Sequence, residues 1–122
     1  ARLGAYAPYS KFLVGCALEC SDGTVYTGVN VENASYGGTV CAERVAIWKA
    51  VSEGRRDFRR IAICTASPRP AAPCGLCRQV MSEFCGAELE IILCSADSES
   101  SLEKHYRLGE LFPEPFDPAS LV

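Results

Sequence analysis

The distribution of apolar residues along the chain predicts five strands. An apolar stretch at residues 12–20 and an alternating stretch at residues 24–31 are separated by Ser21-Asp22-Gly23, whose turn chemistry indicates a β-hairpin. Further strands are expected at residues 60–65, 89–95 and, with weaker alternation, 101–108.

Two other segments have helical patterns. Residues 42–53 are apolar nearly all round and are followed by Gly54, which suits a helix C-terminus, so a largely buried helix is expected. Residues 75–84 predict a second helix after a Pro-rich loop at residues 67–73. The stripe of this helix that faces the core consists of Leu76, Val80, Met81 and Phe84. The tail from residue 111 onward is expected to be irregular apart from a short final helix.

This order of elements predicts one α/β domain that spans residues 1–122. A length of 122 residues suits a single domain with one core. Two strands followed by alternating helices and strands favour a three-layer arrangement. In it, helices cover both faces of a mixed sheet of about five strands.

Composition and charge exclude some classes of function. Apolar residues make up 48% of the chain, which is typical of a globular protein. The formal net charge of −3 argues against general binding to nucleic acid or to anionic membranes, both of which need a basic surface. The basic cluster at residues 55–60 is interrupted by Asp57 and Phe58, so we interpret it as a solvated connection rather than a polyanion site. No apolar run approaches the length of a transmembrane helix, and no signal peptide is visible.

The chain contains eight cysteines, which raises the question of disulfides. Cys16, Cys64 and Cys94 lie inside apolar runs, where reduced cysteine behaves as a small hydrophobic residue. We therefore favour a reduced protein in the cytoplasm over a disulfide framework.

Three further cysteines are arranged like metal ligands. The sequence P-C-G-L-C at residues 73–77 places Cys74 and Cys77 at a helix N-terminus, where free N–H groups and the helix dipole favour thiolates. Cys41 lies at the start of the other helix. If both helices pack side by side on one face of the sheet, the three thiolates converge. They then form a zinc site whose fourth position is open, as in catalytic zinc sites.

Three polar residues near these elements are also candidates for chemistry. Glu43 lies in the first turn of a buried helix, and a carboxylate beside an open coordination position can transfer protons to a leaving group. At the end of the second strand, Asn30 and Glu32 share one face, because side chains in a strand alternate with a period of two. An amide and a carboxylate so placed can bind a hydroxyl group from both sides. They could instead cap a turn.

Other interpretations of the cysteines remain open on the residues alone. Cys74 and Cys77 have the spacing of a thioredoxin-like redox pair, but that interpretation leaves the segment C-A-E-R unexplained. A closed structural zinc site would need a fourth ligand, for which His105 or Cys85 could be proposed. His105 fits a surface histidine better, because it lies in the polar segment K-H-Y-R.

The segments T-V-C-A-E-R and P-C-G-L-C-R-Q-V resemble the zinc-binding motifs of the small, homotetrameric cytidine deaminases. The resemblance continues through Y-A-P-Y-S-K-F, G-V-N-V-E-N-A-S-Y, K-A-V-S-E-G and E-L-F-P-E-P-F, in this order and over residues 6–116. It implies a cytidine-deaminase-like fold and zinc-dependent hydrolysis of cytidine and 2′-deoxycytidine to the uridines, with release of ammonia, in pyrimidine salvage. It also implies one Zn²⁺ per subunit and a homotetramer whose subunits share active sites.

The resemblance assigns roles to particular residues. Cys41, Cys74 and Cys77 would hold zinc, and Glu43 would be the proton shuttle. The residues that would contact the substrate are Phe12, Asn30, Glu32, Ala34, Tyr36, Ala42 and Phe116.

The substrate residues divide by the part of the ligand that they would touch. Phe12 would pack on the pyrimidine ring, and Asn30 and Glu32 would bind the ribose 3′-hydroxyl. The residues that would reach a neighbouring subunit's site are Ala34, Tyr36 and Phe116. Without the resemblance, the two phenylalanines could be plain core residues, which is the default for an aromatic side chain.

Arg44 and Arg78 have a separate physical argument. Three thiolates around Zn²⁺ leave a net negative charge, which weakens the metal as a Lewis acid. Guanidinium hydrogen bonds to the sulfurs would withdraw charge and restore that acidity. Lysine lacks the planar fork for this role.

Two other functions share these motifs. A blasticidin-type deaminase would have the same zinc residues, but Asn30, Glu32 and Phe116 favour a nucleoside. A non-catalytic interaction module stabilised by zinc belongs to a different class and would bind a hydrated-pyrimidine analogue poorly. Polynucleotide editing is disfavoured by the negative net charge. The family usually begins with a full helix, and here residues 1–7 precede the Y-S-K-F block.

Overall fold

A five-stranded mixed sheet forms the centre of the fold. The computed structural model describes residues 1–66, 71–95 and 103–116. The strands are β1 (Val14–Cys20), β2 (Val25–Val29), β3 (Phe58–Thr65), β4 (Glu90–Ser95) and β5 (Glu103–Arg107). Their order across the sheet is β2-β1-β3-β4-β5, in which β3 and β4 are parallel and the other neighbouring pairs are antiparallel. The predicted mixed sheet is confirmed.

Three α-helices and two 3-10 turns complete the elements in the described ranges. The helices are α1 (Ala42–Ser52), α2 (Gly75–Phe84) and α3 (Leu108–Leu111), and the 3-10 turns are Arg2–Gly4 and Tyr36–Gly38. The two long helices agree with their predicted ranges to within one residue. Gly54 follows α1 with a φ of 89°, a left-handed conformation that glycine adopts at little cost. None of the helices in the described part of the chain is long and apolar enough to cross a bilayer.

The core lies between the sheet and the two long helices. From Ile61 onward in β3, and along all of β4, every second residue is buried, because side chains alternate between the two faces of a sheet. The largest fully buried side chains include Leu18, Ile47, Ile61, Met81, Ile91 and Leu93. On the other face, the 3-10 turn Arg2–Gly4 lies so close to Gly15 that an added Cβ would be 2.5 Å from the Arg2 nitrogen. Helical segments therefore lie on both faces of the sheet, and the long ones share a face.

Two predictions of burial are wrong. α1 is buried along one side only: Trp48 is 45% exposed, and the guanidinium carbon of Arg44 lies 5.7 Å from the centre of its ring. In α2, Leu76 is 57% exposed instead of facing the core. The next residue, Cys77, lies about 100° further around the helix and takes the buried position.

The second strand ends earlier than its alternation predicts. β2 stops at Val29, and Val31 forms isolated bridges beyond it. At Asn30 the backbone N–H still donates to the Val14 carbonyl at 3.3 Å, but the side chain makes the other hydrogen bonds to the neighbouring segment. Its Oδ1 accepts a hydrogen bond from the Val14 N–H at 2.9 Å, and its Nδ2 donates to the Phe12 carbonyl at 2.8 Å. The predicted loop, strand start and tail at residues 67–70, 101–102 and 117–122 lie outside the described residues.

α1 lies directly on β2 at Gly28, which has no side chain to hold the two elements apart. A Cβ at this position would lie 2.6 Å from the Ala46 nitrogen and closer still to the Ala42 carbonyl oxygen. We therefore expect Gly28→Ala to lower the free energy of unfolding by about 1–3 kcal/mol, because the helix would have to shift. Urea denaturation would measure this change.

Gly37→Ala is the matched control, since a Cβ at residue 37 meets no atom within 4 Å. Its free energy of unfolding should stay within about 1 kcal/mol of that of the unchanged protein. If Gly28→Ala is as stable as Gly37→Ala, the close contact between helix and strand is not a feature of the folded protein.

Candidate active site

The two long helices bring three cysteine sulfurs together at their N-termini. Cys41 is the N-cap residue of α1, Cys74 is the N-cap residue of α2, and Cys77 lies in the first turn of α2. The three sulfur atoms lie within 4.8 Å of one another, and 3.8 Å separates those of Cys41 and Cys74. The fold therefore contains the convergence of thiols that the two helix starts predicted.

Hydrogen bonds favour a thiolate within this trio. The sulfur of Cys74 accepts a hydrogen bond from the Cys77 backbone N–H at 3.4 Å, and the Arg44 guanidinium lies 3.5 Å from the sulfur of Cys41. The Cys77 thiol, and after it Arg44, lower the pKa of Cys41 to about 5. The same hydrogen bond to Cys41, together with burial, raises the pKa of Cys77. Binding of a thiophilic metal ion would release the protons that these thiols retain.

This donor set fits zinc. Thiolates are among the preferred ligands of zinc, and three protein ligands are typical of its catalytic sites. Within the described residues, the cluster contains no fourth metal-ligating side chain. The side chain of His105 is 56% exposed and lies near Glu90 and Glu103. Cys85 follows the far end of α2, about 12 Å along the helix axis from Cys77. The alternative interpretation, a closed structural zinc site with His105 or Cys85 as its fourth ligand, is therefore wrong.

Glu43 is buried beside the sulfur cluster. It lies in the first turn of α1, is 4% exposed, and shares a hydrogen bond with Cys77. Burial raises the pKa of its carboxyl group above the usual value. A carboxyl group whose pKa is raised in this way holds a proton more readily than an exposed one, which suits it to accept a proton and later donate it.

Two adjoining cavities open beside these groups. The first has a volume of about 300 Å³ and includes Glu43, Cys41 and Cys74 in its wall. The predicted substrate residues that line it are Phe12, Asn30, Glu32 and Ala42. The second has a volume of about 350 Å³ and is lined by Tyr9, Ser10, Glu32, Tyr36 and Thr39. Ser10, Glu32 and Thr39 line both cavities.

Asn30 and Glu32 reach the first cavity from beyond the end of β2. The Glu32 carboxylate accepts hydrogen bonds from the N–H groups of Tyr9 at 2.9 Å and Ser10 at 3.1 Å, and from the Ser10 hydroxyl. The Ser10 hydroxyl, followed by these N–H groups, lowers the pKa of Glu32. Ser10 lies in the Y-S-K-F block, but the sequence did not indicate its contact with Glu32, because a hydrogen bond across 22 residues has no local signal.

The two arginines have different environments. Arg44 contacts a sulfur of the cluster, as the sequence argument predicted, and lies 3.5 Å from the Thr39 carbonyl. Arg78 differs from the prediction: its guanidinium donates to the carbonyls of Pro73 at 2.8 Å and Leu111 at 2.6 Å, rather than to a sulfur. Through these two hydrogen bonds Arg78 links Pro73, the residue before Cys74, to the end of α3.

The residues predicted to reach a neighbouring subunit are all exposed. Tyr36 is 78% exposed, and its ring meets that of Tyr9 edge to face at 6.4 Å. Phe116 is 59% exposed, and its carbonyl accepts a hydrogen bond from Gln79 at 2.7 Å. Ala34 is also exposed, and neither cavity includes it or Phe116. Phe116 and Phe12, which is 40% exposed, are not core residues.

A family comparison identifies the kind of protein that carries this site. Residues 1–93 match the model of a family described as the cytidine and deoxycytidylate deaminase zinc-binding region. The chain belongs to the cytidine and deoxycytidylate deaminase family. The resemblance inferred from the motifs is confirmed, and zinc is the cofactor that both the family and the sulfur cluster indicate.

Individual members of this deaminase family are similar to the chain over most of its length. A cytidine deaminase of Halalkalibacterium halodurans is 50% identical over 116 residues, which are 95% of this chain and 86% of the relative. One of Sporosarcina psychrophila is 52% identical over 121 residues, which are 99% of this chain and 87% of the relative. The crystal structure of a Burkholderia pseudomallei cytidine deaminase superimposes with a TM-score of 0.88 at 45% identity, covering 94% of this chain and 90% of the other. These matches confirm the deaminase fold.

Proposed function

We propose that this chain is a zinc-dependent cytidine deaminase. It hydrolyses cytidine and 2′-deoxycytidine to uridine and 2′-deoxyuridine, releases ammonia, and serves pyrimidine salvage. The observation that carries the proposal is the buried Glu43 carboxylate beside three sulfurs that lie within 4.8 Å of one another, at the wall of a cavity. The names of the relatives that match nearly the whole chain support it.

The residues of the site divide the chemistry between them. Zinc held by Cys41, Cys74 and Cys77 would supply Lewis acidity at the wall of the cavity. Glu43 takes a proton from the attacking water and delivers it to N3 of the pyrimidine as the C4–O bond forms. It then takes the remaining hydroxyl proton at C4 and donates it to the amine, so that the C4–N bond breaks, the C4 carbonyl forms and ammonia leaves. The raised pKa of Glu43 supports this exchange of protons in both directions.

The walls of the cavity suit a neutral nucleoside. Phe12 supplies an apolar face for the pyrimidine ring. Asn30 uses one amide hydrogen on the Phe12 carbonyl and keeps a second for a ligand, and the ionised Glu32 accepts from a hydroxyl group. In the described part of the chain, neither cavity is lined by a lysine or arginine. Lys11 helps to lower the pKa of Glu32 but lines neither cavity, so a phosphorylated substrate would meet the Glu32 carboxylate with no cation in the described walls.

The proposal extends to assembly and location. The chain forms a homotetramer, in which the exposed Tyr36 and Phe116 contact a neighbouring subunit, and Ala34 and those two residues help to complete its active site. Exposure of these two large aromatic rings, of which Tyr36 lines a cavity, supports such an interface, because water-exposed apolar surface of this kind commonly marks contact sites. All eight cysteines are free, which supports a reducing compartment such as the cytoplasm.

A spectrophotometric assay tests the proposed activity. The purified protein should lower the absorbance of cytidine as the amine is lost, a chelator should abolish the reaction, and added zinc should restore it. Turnover of blasticidin S or deoxycytidylate at a higher rate than cytidine would assign a different substrate. A zinc-loaded protein without turnover, and with weak binding of a hydrated-pyrimidine analogue, would instead be a non-catalytic module.

A further inference from the structure

Ser10 connects two residues that face the proposed substrate. Its hydroxyl donates a hydrogen bond to Oε2 of Glu32 and accepts one from the backbone N–H of Phe12 at 3.1 Å. Its own N–H donates to Oε1 of Glu32 at 3.1 Å, and the N–H of Tyr9 donates to the same oxygen at 2.9 Å. A single short segment therefore supplies three donors to one carboxylate.

The backbone at this segment is bent to make these contacts. Lys11, between Ser10 and Phe12, has a φ of 61°, a left-handed conformation that is uncommon for a residue with a side chain. On its far side, the Phe12 carbonyl is held by the amide of Asn30 at 2.8 Å. Such conformations persist when the surrounding contacts enforce them, and they cluster at functional sites.

The hydrogen bonds leave one acceptor position of the Glu32 carboxylate open for a ligand. An ionised carboxylate has about four acceptor positions, two on each oxygen. Two N–H groups occupy both positions on Oε1, and the Ser10 hydroxyl occupies one of those on Oε2. One acceptor position on Oε2 remains, and it belongs to a residue that lines both cavities.

We propose that Ser10 is a positioning residue, which orients the Glu32 carboxylate so that its one remaining acceptor position binds the 3′-hydroxyl of the nucleoside. The inference rests on the proposed function, because it assigns the sugar contact of that site. Without the Ser10 hydroxyl, Oε2 has two open positions, and the carboxylate is held only through the two N–H groups on Oε1, about which it can turn. The ligand hydroxyl then binds to a carboxylate that must first be ordered.

The test compares Ser10→Ala on two substrates, cytidine and 3′-deoxycytidine. On cytidine, Ser10→Ala should raise KM by about tenfold, the effect expected from a hydrogen bond to a charged group, and change kcat by less than about twofold. On 3′-deoxycytidine, which lacks the hydroxyl, KM should change by less than about twofold. Water can hydrate the Phe12 N–H in this variant because Phe12 is 40% exposed, so the ring contact should survive.

Three further variants complete the experiment. Ser10→Thr keeps a hydroxyl and should restore KM. Ser21→Ala removes a hydroxyl that bonds the Asp57 carbonyl at the other end of β1, and it should behave as the unchanged protein. In a Glu32→Gln background, Ser10→Ala should have little further effect, because the two residues act as a unit.

The outcomes separate this inference from the proposed function. If Ser10→Ala raises KM equally for both substrates, or Ser10→Thr fails to restore it, the positioning role is wrong while deamination of cytidine stands. If the unchanged protein deaminates neither substrate, the proposed function is wrong, and the inference that rests on it is wrong as well.

Discussion

Replacement of Glu43 by glutamine is expected to leave zinc bound and to lower kcat on cytidine by at least about 10³-fold. Glutamine has nearly the same shape and keeps a carbonyl oxygen, but it cannot carry a proton between water, ring nitrogen and leaving amine. General acid and base catalysis by one side chain commonly contributes about 10²–10⁴-fold, and here one residue serves several transfers. Steady-state kinetics and metal analysis of the purified variant would measure both quantities.

Glu83→Gln is a matched control for this variant. It makes the same chemical change on the exposed side of α2, at a residue that lines neither cavity. Its kcat and zinc content should equal those of the unchanged protein. Normal turnover by Glu43→Gln would show that Glu43 is not the proton shuttle. Loss of zinc from that variant would show that Glu43 is a zinc ligand instead.

Replacement of Cys77 by alanine is expected to abolish zinc binding and activity together. Cys77 is fully buried, and its sulfur lies within 4.8 Å of the other two, so its loss leaves two thiolates and an unfilled space. Loss of ligand-orienting neighbours alone lowers metal affinity by about 10–100-fold in other sites, and loss of a ligand should exceed that. Metal analysis after dialysis should find the variant without zinc. Added zinc should raise the Tm of the unchanged protein but not that of the variant.

Cys85→Ala is the control for Cys77→Ala. It separates the effect of losing a zinc ligand from the loss of stability that follows when any thiol is removed. Cys85 is half-buried next to the other end of α2 and has no partner in the sulfur cluster. This variant should keep zinc and activity and lose on the order of 1 kcal/mol of stability. Full zinc occupancy in Cys77→Ala would show that the three cysteines are not the ligand set.

Local patterns predicted the regular elements well, and tertiary contacts account for the differences. α2 begins and ends where its apolar stripe predicted, because a cap at Cys74 and helical spacing are both local signals. β2 ended early because the Asn30 side chain bonds to β1, which is a contact between strands. The exposure of Trp48 could not be read from α1, since a helix that is apolar nearly all round does not indicate which side meets the sheet.

In the candidate active site, too, local sequence patterns predicted some features and tertiary contacts decided the others. The spacing of P-C-G-L-C predicted two thiols at one helix start, because the helix itself brings ligands a few residues apart together. The zinc-binding deaminase was predicted by the resemblance of this segment and C-A-E-R to a known family. The partners of Arg78 were not predictable, because a carbonyl on α3, 33 residues away, competes with sulfur for its guanidinium. The bond between Ser10 and Glu32 likewise depends on how a bent segment meets the end of a strand.

The sequence by itself determined the elements, the family and the chemical types of the ligands, since these depend on residues that are near neighbours along the chain. Only the tertiary structure decided that Cys41 meets Cys74 across 33 residues, that Arg44 rather than Arg78 reaches a sulfur, and that Ser10 holds Glu32. The physical reason is that distances between remote segments are set by how helices and strands pack on one another, and separation along the chain does not encode them.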